Sequence, residues 1–310
     1  MPSFFSDVKT VLLFALGASA LFYIVVLGAE LVRRRRAQKA AGGAVESDRP
    51  NLIGLAIGFV TNFLDTLGIG SYATTTSAFR FWKTVPDEQI PGTMNVGHTL
   101  PTIVEAFIFT QIVPIEPRTL LFMIVAAVLG AWLGAGVVAS WPRRMVQIGM
   151  GTALFVLAVV MIIRSSGLAP AGGTALGLHG SKLIIAVGVN FMLGALMTIG
   201  IGLYAPCMIL VSLLGMSPVT AFPIMMGSCA FLMPVASVRF IKSGRFEPRA
   251  LLGLLVGGIP AVLIAAFVVK SLPLAQVMWL VIIVVIYTAT SLLRTAARER
   301  RAAGAAAAAF

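Results

Sequence analysis

The sequence predicts an all-α polytopic membrane protein: two homologous repeats of about four helical segments each, with broken or re-entrant helices at the repeat interface, plus one extra N-terminal helix. Three observations predict it. Of 310 residues 59% are apolar and only 11% charged, with a mean hydropathy of +0.99. Apolar runs of about 20 residues, the length that crosses a hydrocarbon core of about 30 Å, recur along nearly the whole chain. The stretch GIGSYATTT, Gly68 to Thr76, returns as GIGLYAPCM, Gly200 to Met208, displaced by 132 positions. Pro91 and Met94 match Pro223 and Met226 at the same displacement, Glu116-Pro117-Arg118 reappears as Glu247-Pro248-Arg249, and Pro142 as Pro273. Landmarks kept in register over about a hundred residues mark a duplicated membrane unit.

The net charge of +12 sits mostly in short clusters beside apolar spans, Arg33 to Arg36 and Arg294 to Arg301. That is the pattern of a topology signal and not of a nucleic-acid footprint. The two cysteines, Cys207 and Cys229, fall inside apolar stretches with no companions for a zinc or redox motif, so they are expected as buried thiols, and no cofactor or metal is implied.

Residues 10–32 form the first apolar span, after a nearly uncharged N-terminus and before four consecutive arginines, which places its N-terminus outside and its C-terminus in the cytoplasm. A cleaved signal peptide would carry its basic residues on the other side and a shorter apolar run. The expected division is 1–50 for this helix and a cytoplasmic linker beginning at residue 33, 51–164 for repeat one, 165–180 for the loop between repeats, 181–294 for repeat two, and 295–310 for a cytoplasmic tail without assigned function.

Each repeat opens on an apolar segment of about thirty residues, 52–82 and 183–215, with the GIGxYA motif near its middle. As one straight helix it would be about 45 Å long, half as long again as the hydrocarbon core. Paired glycines, and Pro206 in the second copy, make a break there the better reading. Further spans are expected near 90–113, 118–140 and 144–163, then 219–241, 250–269 and 274–293, with turns at Pro114, Pro117, Pro142, Pro248 and Pro273. If each broken segment crosses the membrane the duplication is parallel; if each folds back it is inverted. The distribution of Lys and Arg fits both, and the second topology also brings Arg143 and Arg144 to the cytoplasmic side.

Backbone that leaves the helix inside a membrane must find partners in protein or in a water-filled cavity. A glycine-rich turn followed by a new helix aims unpaired N–H groups and the positive dipole end at that cavity, whose natural guest is a small anion. The candidate donors are the backbone around Gly70 to Ala73 and the hydroxyls of Thr74, Thr75 and Thr76, with Gly68, Tyr72 and Asn62 beside them. In the second copy the candidates are Gly200, Gly202, Tyr204, Pro206 and Cys207, Pro206 suiting the first turn of a restarted helix because no N–H is wanted there. The competing reading is that small residues merely let helices pack closely.

NFLDTLGIGSYATTT followed by IPGTMNVGHTLP, with the second GIGLYAPCMILVSLLGM, resembles the TauE/SafE family of sulfite and organosulfonate exporters over about residues 51–294, leaving out the first helix, linker and tail. The resemblance implies a multi-pass bacterial inner-membrane transporter with duplicated halves, moving sulfite, sulfoacetate or other small sulfur-containing anions. The family motif commonly carries a third glycine and then a proline. Pro206 keeps that proline, whereas Thr74 replaces it in the first copy, and Ser71 and Leu203 stand at the glycine position.

Asp65, His98 and Glu105 lie in otherwise apolar first-repeat segments, where a charge normally faces a cavity or a partner. They are the candidate proton-coupling residues. Asp65 precedes the break and has Met197 as its counterpart, so its protonation would be linked to occupancy by an anion; alternatively it accepts hydrogen bonds from the restarted helix and holds the turn. His98 would satisfy a core hydrogen bond or a functional one, and Glu105, seven residues on, shares its helix face. Asn62, Asn95 and Asn190 would orient substrate oxygens or join helices, and Arg239 and Lys242 are read as interfacial anchors.

No GxxxxGK[ST] signature is present, so energy would come from an ion or substrate gradient or from a separate partner. The expected partners are a small anion, protons and membrane lipid, with no nucleic acid, and a homodimer is compatible with this reading. The alternatives are an anion channel or uniporter, and an intramembrane enzyme using His98 with Asp65 or Glu105. The enzyme reading lacks an evident nucleophile, metal set or cofactor motif and leaves the duplicated motif unexplained.

Overall fold

The computed structural model of the chain describes residues 2–40, 49–138, 143–165, 173–197 and 202–308. Most of the linker, Pro142 and Gly200 lie outside the described residues. In chain order the helices are α1 (Pro2–Ala40), α2 (Leu52–Thr66), α3 (Ser71–Trp82), α4 (Ile90–Ile112), α5 (Pro117–Val138), α6 (Arg143–Ser165), α7 (Gly180–Met197), α8 (Tyr204–Leu213), α9 (Ala221–Ser243), α10 (Pro248–Ser271) and α11 (Leu274–Ala308). A 3₁₀ turn, Pro218–Thr220, precedes α9. Among the described residues no strand forms beyond one isolated bridge between Ala175 and Met216.

Among the described residues five stretches are long and apolar enough to cross a membrane: Val8–Ala40, Gly180–Met197, Pro218–Ser243, Pro248–Ser271 and Trp279–Glu299. The architecture is that of an all-helical, multi-pass membrane protein.

α1 does not stop where the linker was expected to begin but continues to Ala40. Arginine is a good helix former, and Glu30 reaches Arg33 at 2.8 Å and Arg34 at 3.0 Å, three and four positions along the same face. The arginine run marks where the apolar span ends, and the helix itself passes through it. Arg34 also donates to the Gly244 carbonyl at 3.2 Å and lies 4.0 Å over the Phe246 ring, tying the end of α1 to the turn between α9 and α10.

The chain forms two compact units, and each draws on both sequence segments. The first comprises Met1–Ile112 and Met226–Lys270. Within it α2 lies directly on α10. A side chain added at Gly58 would run into the Gly253 carbonyl, and one at Gly257 into that of Leu55, so small residues four apart on both helices let the backbones touch. Tyr23 of α1 donates to the Val96 carbonyl of α4, and Tyr23 and Leu27 pack with Val96, Ile241, Phe246 and Leu251.

The second unit comprises Val113–Met225 and Ser271–Phe310. There α5 and α7 approach as α2 and α10 do: Gly130 abuts the Phe191 backbone and Gly194 that of Ala127. Asn190 of α7 donates to the Met123 carbonyl of α5 at 2.7 Å. α6 packs on α11, where Gly151 makes room for Leu293.

Candidate functional site

The candidate site grows out of the way α2 ends. Gly68 N–H donates to the Asp65 carbonyl at 2.7 Å and Ile69 N–H to the Leu64 carbonyl at 3.0 Å, the paired closure that satisfies a helix's last carbonyls. Such a closure needs a left-handed residue, and Gly68 supplies φ 93°. Gly70, at φ 87°, turns the chain again and α3 starts at Ser71. The expected interruption is therefore present in the first copy and occupies residues 67–70.

Asp65 is buried and accepts hydrogen bonds from both the backbone N–H and the hydroxyl of Ser71. The last turn of one helix thus caps the first turn of the next, placing a carboxyl where a helix N-terminus favours negative charge.

Two further side chains of α2 meet α4. The Asn62 amide donates to the Gly58 carbonyl at 2.7 Å and to the Leu254 carbonyl at 3.3 Å, so its nitrogen side is fixed and its oxygen faces His98 Nδ1 at 2.9 Å. An amide oxygen only accepts, hence Nδ1 carries the hydrogen. On a neutral ring Nε2 is then the acceptor, and Thr75 Oγ1 of α3, 2.9 Å away, donates to it. His98 is fully buried with both ring nitrogens engaged. One turn further along α2, Thr66 Oγ1 lies 2.7 Å from Glu105 Oε1 and 2.8 Å from the Asn62 carbonyl. The seven-residue spacing of His98 and Glu105 does bring them to one face, where they meet residues four apart on α2.

A second polar chain runs from α3 through α4 to α9. Asn95 donates to the Tyr72 hydroxyl at 2.9 Å and accepts from Ser237 Oγ at 2.9 Å, and Ser237 lies 2.9 Å from Thr99 Oγ1. Asn95 joins helices, as Asn190 does. Thr99 and Ser237 were not singled out from the sequence, and Thr66 and Ser71 were read there as parts of the motif and not as polar partners. The signal that could have found three of them is spacing, since Asn62 and Thr66, and Asn95 and Thr99, stand four apart on one face, and Ser71 opens a helix after glycine.

The three threonine hydroxyls are not equivalent. Thr74 donates to the Ser71 carbonyl and Thr76 to the Tyr72 carbonyl, each at 2.8 Å, with Thr76 also 3.2 Å from Met94 Sδ of α4, whereas Thr75 is fully buried against His98. Space is open at the turn itself: a side-chain carbon at Gly70 or Gly202 would meet nothing within 4 Å.

In the second copy α7 ends at Met197 and α8 begins at Tyr204. Gly202 is exposed, Tyr204 buried, and Pro206 is the third residue of the helix, inside the first turn where its missing N–H costs nothing. Cys207 N–H closes the first helical bond to the Leu203 carbonyl at 3.0 Å. The thiols of Cys207 and Cys229 are buried and unbridged. Arg239 and Lys242 are exposed at the end of α9. Among the described residues no three His, Cys, Asp or Glu side chains gather as metal ligands.

Membrane-length apolar helices around a buried polar tract, at a point where one helix is interrupted, place the chain in the class of multi-pass helical membrane proteins to which secondary transporters belong. The profile of the family described as sulfite exporter TauE/SafE matches residues 3–161, and the chain belongs to that family. The match takes in α1, which the motif resemblance left out, and stops within α6, before the second copy of the motif. Comparison with curated proteins and with solved structures gives no match.

Proposed function

We propose that the protein is a secondary-active exporter of small anions in a bacterial inner membrane, carrying sulfite, sulfoacetate or related organosulfur anions and driven by a proton gradient. Family membership gives the substrate class its footing. The observation that carries the mechanism is the break at residues 67–70, where backbone leaves the helix beside buried Asp65, His98 and Glu105 and an open approach at Gly70. An anion arriving at the N-terminus of α3 meets the dipole end of that helix together with the Tyr72 phenol. In accepting from Asn95 the phenol oxygen leaves its own proton to give.

The reading includes the duplication, which several correspondences support. Lys83 and Gly215, 132 positions apart, both end their helices in the left-handed region, at φ 49° and 95°. The bond from Thr84 N–H to the Phe79 carbonyl recurs as Met216 N–H to Val211, and that from Gln89 N–H to Pro86 as Ala221 N–H to Pro218. Leu254 and Met123, whose carbonyls accept from Asn62 and Asn190, stand 131 apart as the Glu-Pro-Arg landmarks do, while the two asparagines stand 128 apart.

Uptake of labelled sulfite, sulfoacetate, taurine and sulfate into liposomes carrying the purified protein, with and without a proton gradient, tests the proposal. Gradient-dependent movement of a sulfur anion is the expected result. Movement indifferent to the gradient would make the protein a channel or uniporter, and no movement of any of the four would sink the assignment.

A further inference from the structure

Positive charge in the first unit is gathered at one end from two places far apart in sequence. Arg33, Arg34, Arg35, Arg36 and Lys39 close α1, and Arg239, Lys242, Arg245 and Arg249 run through the end of α9 and the start of α10. Arg34 joins the two groups, donating to the Gly244 carbonyl at 3.2 Å and lying 4.0 Å over the Phe246 ring. Lys39 is about 7.5 Å along the helix from Arg34, and Arg245 directly follows Gly244. The two groups therefore meet within about 10 Å, a Debye length, and act on a ligand together.

Little of this charge is neutralised from within. Glu30 is shared by Arg33 and Arg34, and Glu247 turns back to accept from the Ala250 N–H of α10. The α3–α4 turn adds Asp87, paired with Arg80 at 3.0 Å, and the exposed Glu88. Arg36, Lys39, Arg239, Lys242 and Arg245 are exposed, and none of them makes an ion pair among the described residues.

The patch also has a defined level. On the turns of α1 that lead up to the arginines, Leu21, Ile24, Val25 and Val32 are exposed apolar side chains, and Trp82 is exposed at the end of α3. Hydrocarbon covers such a surface up to the point where charge begins, and tryptophan collects at the headgroup level. We propose that this rim seats an anionic phospholipid, its acyl chains along the exposed apolar face of α1 and its phosphodiester held by the cations that α1 and the α9–α10 turn bring together. Arginine forks match phosphate oxygens, and basic patches between membrane helices recognise such headgroups. A topology signal needs charge in a loop, but it does not require two segments some 200 residues apart to be tied at their charged ends. An acidic protein segment would meet the same charge and leave the apolar face unused; a lipid uses both.

The test is native mass spectrometry of the full-length protein released from micelles that hold phosphatidylglycerol and phosphatidylcholine in equal amounts, counting the lipids retained. The wild-type protein should retain phosphatidylglycerol in preference. Lys242→Gln with Arg245→Gln should lower that preference about fivefold for each charge removed, whereas Arg118→Gln, an exposed cation of the second unit, should leave it unchanged. Should the double variant fail to fold, Arg36→Gln with Lys39→Gln reads the same rim from α1. Equal retention of the two lipids, or a preference that survives both pairs of substitutions, overturns the proposal. Displacement of the lipid by an equal concentration of glycerol phosphate or of polyglutamate would make the patch a seat for a soluble anion or an acidic protein segment and would overturn it as well. Lipid retention is read without transport, so this result and that of the liposome assay are separate.

Discussion

Asp65 and Ser71, on either side of the helix break, are tied twice, the carboxyl of one accepting from both the backbone N–H and the hydroxyl of the other. The turn between α2 and α3 is thereby locked from inside, and the acid expected as a proton carrier or a cap has the contacts of a cap. Loss of an N-capping acceptor costs about 1 kcal/mol. Asp65→Ala should accordingly lower the melting temperature in detergent, and Asp65→Asn, which keeps one acceptor oxygen, should lower it less. Equal melting of the two variants would show that capping is not what Asp65 contributes.

Asn62 is the point through which α2, α4 and α10 are joined, since it holds the Leu254 carbonyl with its nitrogen and His98 Nδ1 with its oxygen. Asn62→Leu would strand the His98 N–H in an apolar interior, and an unmade buried bond of this kind costs about 1–3 kcal/mol. The expected result is a clearly lowered melting temperature. Nitrogen NMR of the wild-type protein should independently find His98 neutral with its hydrogen on Nδ1; a hydrogen on Nε2 alone would contradict the orientation assigned to the Asn62 amide.

The break itself was legible because two glycines with a Tyr-Ala after them recur at one displacement, and an apolar run of about thirty residues is longer than the hydrocarbon core requires. The positions of Asp65, His98 and Glu105 were legible for a similar reason, each being a polar exception within an apolar run. Their partners were not. Thr75 could be told from Thr74 and Thr76 only by the rotation of α3, and Ser237 meets Asn95 across 142 positions of sequence. Nor does a hydropathy pattern reveal that α2 packs on α10 and α7 on α5, because that pairing is set by which glycines face which carbonyls. The end of α1 was misplaced for a plainer cause: charge marks where the bilayer stops, and helix propensity continues beyond it.

Gly70 and Gly58 separate two uses of glycine. At Gly70 space is open but φ is 87°, so Gly70→Ala should cost about 1–2 kcal/mol through backbone conformation alone. Its larger neighbour Gly70→Leu would also fill the approach to the α3 N-terminus and should abolish transport in protein that still inserts. At Gly58 the added carbon would meet the Gly253 backbone, and Gly58→Leu should prevent α2 and α10 from closing, with loss of folded protein. Normal transport by Gly70→Leu would remove the anion from the turn.

Tyr72 offers the sharpest division between binding and packing. Its oxygen accepts from Asn95 and its hydrogen is the one proposed to meet the anion. Tyr72→Phe keeps the ring but removes both functions. If the phenol contacts substrate, the half-saturating sulfite concentration in liposomes should rise about tenfold, the equivalent of about 1.4 kcal/mol, because a hydrogen bond to an anion is among the stronger kinds. The same variant leaves the Asn95 amide without its acceptor and should lose some stability as well. Asn95→Ala also removes that bond but spares the phenol, so it provides the control. A rise in half-saturation confined to Tyr72→Phe places the phenol in the anion site, whereas an equal rise in both variants would mean that Tyr72 acts only by holding α3 against α4.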